Sequence, residues 1–186
     1  MEATSILMSE HRVIEGVLAS LERAVGRLEA GQAVQASFFI QAAEFIKGFA
    51  DGCHHRKEEG VLFPAMEAAG VPRQGGPIGV MLAEHEEGRR LTRGMREAAQ
   101  RLEKGEPDAK IEVVKHALGY TRLLHQHIAK EDKVLFPMAE RVIAKEAQVE
   151  LEKAFQRVEQ EETGEGVHEK YMELAEALER EAKMGE

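Results

Sequence analysis

Apolar positions along this chain return every three or four residues in four long stretches, and that period predicts helices. In the first stretch, Leu7, His11, Ile14, Leu18, Leu21, Val25 and Leu28 form one stripe. Thr4 or Ser5 is placed to cap this helix, which runs to Glu29 or Ala30, and Gly31 to end it. The second begins near Val34 and carries Phe38, Ala42, Phe45, Phe49, His54, Glu58 and Leu62 on one face. It stops before the breakers Gly70-Val71-Pro72 and Gly75-Gly76-Pro77. The third covers about Pro77 to Lys104, with Gly105 as its stop. Pro107 and Asp108 open the fourth, whose stripe is Ile111, Val114, Leu118, Leu124, His127, Glu131 and Leu135. Pro64 and Pro137 fall inside the second and fourth patterns, where each removes a backbone hydrogen bond and predicts a bend or an end. No alternating strand pattern competes. Four helices with short connections predict an all-α, antiparallel up-down-up-down four-helix bundle.

The character changes from Lys145 onward, where 13 acidic side chains face 6 basic ones. Two further helices are expected, Lys145 to Glu161 and Val167 to Lys183, broken at Thr163-Gly164-Glu165-Gly166. Leu151, Ala154, Phe155 and Val158, then Tyr171, Leu174, Ala175 and Leu178, are spaced to pack. The chain therefore divides into a bundle, 1–143, and an acidic helical extension, 144–186. The extension covers the bundle, meets a second copy or another protein, or presents a solvated acidic face.

Within the bundle the chain repeats itself. His54-His55-Arg56-Lys57-Glu58-Glu59-Gly60-Val61-Leu62-Phe63-Pro64 returns as His127-Ile128-Ala129-Lys130-Glu131-Asp132-Lys133-Val134-Leu135-Phe136-Pro137, displaced by 73 residues. A lone histidine precedes each copy, in Ser9-Glu10-His11 and in Ala83-Glu84-His85, displaced by 74. His54 and Glu58, like His127 and Glu131, are four residues apart and share a helix face, with Cβ atoms about 5–6 Å apart. In an antiparallel hairpin, His11, about 18 residues before the end of its helix, stands level with His54, about 20 after the start of the next. His85 and His127 repeat that register. Four imidazoles and two carboxylates thus converge from four helices, a supply that exceeds one Zn and suits a dinuclear transition-metal site. With two imidazoles per ion, both glutamates bridging and one oxo or hydroxo bridge, each ion has five ligands. One octahedral position stays open for dioxygen, nitric oxide or peroxide.

Composition narrows the partners. The net charge of −9 disfavours nucleic acid and anionic membranes, which reward clustered Lys and Arg, and a small ligand is more natural. No apolar run approaches the roughly 20 residues of a membrane-spanning helix. Cys53 is the only cysteine, and the start carries no charged-then-apolar leader, so a cytoplasmic address is expected.

The ligand pattern, with a Leu-Phe-Pro segment after each pair, resembles the hemerythrin-like, or HHE cation-binding, family over roughly residues 5 to 143. The resemblance implies a bundle around two non-haem Fe ions, with His11, His54, His85 and His127 as terminal ligands and Glu58 and Glu131 as bridges. It implies binding of O2, NO or H2O2 in sensing, storage or stress response; the alternative is an enzyme of peroxide or nitric oxide turnover or of iron-sulfur repair. Oxygen-carrying members place a second histidine four residues along the third helix and an aspartate on the fourth. Here Arg89 and Glu131 stand in those places, so one ion lacks its third imidazole, and either both ions are open or one takes water or a further side chain. A ferritin-like Glu-x-x-His set is not met, since that spacing occurs only as Glu165/His168 in the extension.

Other candidates have plainer readings. His55 with Glu59 lies about 100° out of phase with His54 and Glu58, and its counterparts are Ile128 and Asp132, so His55 is read as a neighbour of the site. Tyr120 is read as core, with its hydroxyl able to reach a bound ligand. His125 is structural, and His116 is too distant to be a ligand. Cys53 is a small buried residue, and Met8, Met81 and Met95 are core filler. Arg89, Arg90, Arg93 and Arg96 form a solvated face paired with Glu86, Glu87 and Glu97.

Overall fold

The computed structural model describes residues 1–163 and 166–184. Four rods form an antiparallel up-down-up-down bundle. The first is α1, Glu2–Glu29. The second joins α2, Ala36–Phe45, through wider π-helical turns at Ile46–His55 and Glu58–Leu62, to α3, Phe63–Ala68. The third is α4, Pro77–Glu103. The fourth runs from α5, Ala109–Lys130, through a π-helical turn at Glu131–Leu135, to α6, Phe136–Val142. The extension adds α7, Lys145–Arg157, a π-helical stretch at Val158–Thr163, and α8, Val167–Lys183. The break expected at Thr163-Gly164-Glu165-Gly166 lies partly outside the described residues.

Local differences from the sequence expectations have physical causes. Thr4 and Ser5 do not cap α1, which is already helical at Glu2; the single Thr4 hydroxyl proton instead has two acceptors within reach, Glu140 and the Met1 carbonyl. Pro64 and Pro137 do not break their rods. Each is second in an α-helical segment that follows a π-helical turn, where its missing N–H removes little, as at a helix start. Gly31 and Gly105, at φ 79° and 89°, adopt the left-handed conformation that ends a helix cheaply only for glycine.

The apolar stripe of α5 holds at Leu124 and His127 but is rotated from its expected place in the first half of the helix. Ile111 is 71% exposed and Val114 and Leu118 are half-buried, while Ala109, Val113, Ala117 and Tyr120 are buried. Small residues let α5 approach α4 closely: a Cβ added at Gly94 would lie 2.6 Å from the His116 ring. Met81 and Met95 are buried, but Met8 is exposed.

The extension spends its apolar residues on the bundle. Leu151 and Phe155 join Leu7, Leu62 and Leu135 in one cluster, and Ala175, Leu178 and Ala182 enter the main core with Leu21 and Phe45. Helix α8 lies against α1 and α2. Truncating Leu178, fully buried, to Ala should cost about 2–5 kcal/mol in chemical unfolding. A change within about 0.5 kcal/mol would mean that α8 is a solvated appendage.

Candidate metal centre

Between the two apolar clusters lies a layer of buried polar side chains. His11 from α1 and His54 from the second rod meet with Nε2 atoms 3.0 Å apart, and His85 from α4 meets His127 from α5 at 3.2 Å. Two carboxylates span these pairs. Glu58 turns Oε1 toward His54 (3.6 Å) and Oε2 toward His85 (3.4 Å). Glu131 turns Oε1 toward His127 and Oε2 toward His11, both at 3.2 Å. All six sequence-selected residues are buried and stand together, at the common height that the helix lengths predict. Both glutamates open a π-helical turn, a feature that recurs at functional sites.

The outer ring repeats as faithfully as the inner one. Each of these imidazoles turns Nε2 inward and holds Nδ1 against a carboxylate: His11 on Asp132 (2.7 Å), His54 on Glu10 (2.9 Å), His85 on Glu59 (2.6 Å) and His127 on Glu84 (2.9 Å). Glu10 corresponds to Glu84, and Glu59 to Asp132, by the same displacements that relate the histidines. Carboxylate-held imidazoles of this kind are oriented, with raised basicity, for metal. Buried Lys57 pairs with Glu10, as Lys130 pairs with Glu84. The repeated Leu-Phe-Pro segment closes the layer from one side, where Phe136 stacks on His11 and Phe63 on His85, at 5.5 and 6.0 Å between centroids. Sequence reasoning passed over this ring, although the acidic residues beside each ligand carry the same repeat.

His55 stays a neighbour of the site at closer range than regular α-helical phase suggests, and the expectation for Arg89 changes. His55 is only 5% exposed and its ring stacks on His85 at 3.8 Å between centroids, so it is part of the layer, whereas Glu59 serves the His85 ring. The π-helical stretch Ile46–His55 explains this. More residues per turn bring adjacent side chains closer in angle than the 100° of an α-helix, so His54 and His55 both point inward. Arg89 does not belong to the solvated face: it is three-quarters buried and binds Asp51 (2.6 Å), Glu59 (2.7 Å) and Glu86 (2.5 Å). Tyr120 is buried in the core as expected, and its hydroxyl has no hydrogen-bond partner among the described residues. His125 binds Glu22 at the surface, and Cys53 is buried.

The centre fits a cation. Neither oxygen of Glu58 or Glu131 has a hydrogen-bond donor among the described residues, although both side chains are fully buried. Buried carboxylates without donors are costly and mark a missing positive partner. The sets His11, His54, Glu58, Glu131 and His55, Glu58, His85, His127 each gather their ligand atoms within 4.8 Å of one another and could each hold an ion. A third group, Glu10, Cys53, Glu159 and His168, already encloses the Lys57 ammonium, which binds Glu10 and Glu159.

The fold and this cluster define a class, a helical bundle with a buried histidine-carboxylate centre suited to cations. Residues 2–139 match the family described as Hemerythrin HHE cation binding domain, and the chain belongs to that family. The chain is similar to "Uncharacterized protein Mb2018" of Mycobacterium bovis and to "Uncharacterized protein Rv1995" of Mycobacterium tuberculosis. Each is 29% identical over 131 residues, 70% of this chain and 51% of the relative. The chain thus spans about half the length of these curated relatives. No solved structure matches it. No helix among the described residues is long and apolar enough to cross a membrane.

Electrostatics follow from the packing. Burial alone would lower the His11 and His85 pKa values, but Asp132 and Glu131 raise His11, and Glu58 and Glu59 raise His85, each to about 9. Burial alone would raise Glu58, but His54, His85 and His127 drive it down to about 2. Folding the metal-free chain therefore takes up protons on the two imidazoles. That stabilisation is complete below the ordinary 6.5 and is lost as pH rises through about 9. The Glu58 contribution is present above the ordinary 4.5 and is lost as pH falls through about 2, so both operate together between pH 4.5 and 6.5. Metal must displace the imidazole protons, so affinity should rise from pH 6.5 toward pH 9. Calorimetry in buffers of different ionisation enthalpy should record proton release on binding; affinity that is flat with pH would contradict it.

Proposed function

We propose that this chain is a non-haem di-iron protein that binds a small diatomic or peroxide ligand, O2, NO or H2O2, in sensing, storage or a stress response. One observation carries the reading: each of two buried carboxylates directs one oxygen to each of two imidazole pairs, the arrangement that bridges two cations. His11 and His54 would hold one ion, His85 and His127 the other, and Glu58 and Glu131 would join them. Imidazole and carboxylate together favour iron over softer or harder cations. When bound, such a pair supplies a redox-active Lewis acid, with an oxo or hydroxo bridge completing the charge balance.

This chain's residues would do the rest. The outer carboxylates hold each imidazole in its metal-binding tautomer. The phenylalanines and the extension keep bulk water from the centre. A cavity of about 330 Å³, lined by His55, His85, Gly88, Arg89 and Tyr120 among others, leads to the second imidazole pair and is roomy enough for a diatomic molecule or peroxide. We take residues 1–143 as the metal-binding unit and 144–186 as its cover, in a reducing cytoplasm that suits the lone buried Cys53. The unpartnered Tyr120 hydroxyl in that cavity favours a second reading, turnover of peroxide or nitric oxide, or iron-sulfur repair, because a buried phenol can donate a hydrogen bond to a bound ligand.

Iron-loaded protein should contain two ions per chain and show a charge-transfer band. Stoichiometric Zn, or no metal after iron-replete expression, would count against the proposal. Stopped-flow mixing of the reduced form with oxygen separates the two readings: a reversible adduct favours binding, and rapid oxidation with peroxide consumption favours turnover.

A further inference from the structure

We propose that His55 is a fifth imidazole of the centre, joining His85 and His127 on the second ion in the place that α4 fills with Arg89. The inference rests on reading the cluster as a metal centre and adds a residue that the repeated ligand pattern does not contain. A ring nitrogen of His55 belongs to the set with Glu58, His85 and His127 whose ligand atoms lie within 4.8 Å of one another. Neither of its ring nitrogens has a hydrogen-bond partner among the described residues. A buried imidazole with both nitrogens unserved is missing a partner, as the two glutamates are.

His55 has an outer carboxylate in the same position as the other four histidines, but at a longer distance that leaves Nδ1 without a hydrogen bond. Its Nδ1 faces the Asp51 carboxylate at 3.5 Å, and Arg89 fixes that carboxylate at 2.6 Å. Arg89 also holds Glu59, the carboxylate that orients His85. One guanidinium thus positions the outer partners of two neighbouring imidazoles, and Arg89 is a positioning residue for both. The displacement of 73 residues pairs His55 and Asp51 with Ile128 and Leu124. The extra imidazole and its carboxylate therefore occur together in one half and are absent together from the other. Three imidazoles then serve one ion and two the other, so the ions are inequivalent.

Three full-length proteins, wild type, His55→Ala and His55→Phe, test this after loading with ⁵⁷Fe(II). Stoichiometry, chelator competition and Mössbauer spectra are recorded, and circular dichroism verifies helical content. Wild type should hold two ions with distinct quadrupole doublets. Loss of an outer carboxylate partner typically costs 10–100-fold in affinity, so loss of a ligand should weaken the second ion by about 100-fold or more in both variants. Added imidazole should restore the second ion and its doublet in His55→Ala, whose cavity is open to it. It should not do so in His55→Phe, which keeps a ring on His85 but no nitrogen. Two ions held as tightly as in wild type, with unchanged doublets, in either variant would overturn the assignment and leave His55 a packing residue. Failure of wild type to take up any ion would overturn the centre itself, and this assignment with it, before any variant is made.

Discussion

Two carboxylates without donors, sealed inside an apolar bundle, are the constraint from which the rest follows. A carboxylate leaves water at a cost of several kcal/mol even after relaxation, and Glu58 and Glu131 recover little of it from hydrogen bonds. Farther out, the charges nearly balance. Asp132 meets Arg12, Glu10 meets Lys57, Glu84 meets Lys130, and Asp51 and Glu59 share Arg89. Local cations are consumed in that outer ring, so without metal the inner carboxylates have only the protonated His11 and His85 imidazoles to face, protons that a bound cation would displace. Four imidazoles aim nitrogen at the same space, and with the two carboxylates they make a centre suited to cations.

Much of this was legible in the sequence because it is written twice. A His-x-x-x-Glu pair alone says little, but displacements of 73 and 74 residues relating ligand candidates, outer carboxylates, lysines and phenylalanines show which residues belong together. Helix length supplied the rest: equal distances from the hairpin ends put His11 level with His54 and His85 level with His127. The Leu-Phe-Pro segments gain their meaning only in three dimensions, where each phenylalanine covers a histidine of the other hairpin.

What stayed hidden depends on backbone phase and on close packing. The stripe of α5 was assigned to its largest apolar residues, yet Ala109, Val113 and Ala117 are buried and Ile111 is not, because a close approach to α4 rewards small side chains. The π-helical stretch Ile46–His55 leaves no periodic signature, so regular α-helical phase makes His55 a neighbour of the site rather than an inward-facing member of it. The repeat that groups the six residues gives no hint of His55, since the second copy carries Ile128 at the matching position.

Departures from the repeat give the two sides of the centre different surroundings. Around the first pair, Lys57 is wholly buried, capped by Glu159 and by Phe155 at 6.0 Å, so the extension seals the chain Lys57-Glu10-His54 from solvent. Its counterpart Lys130 is 40% exposed, with no such cover from the extension among the described residues. Around the second pair, α4 contributes Gly88 and Arg89, the second rod contributes His55, and the cavity lies between them, beside Tyr120. A twofold-repeated scaffold would offer a ligand two equal faces. On the proposed reading, covering one and opening a cavity beside the other gives an approach direction to a centre whose symmetric residues alone would not define one.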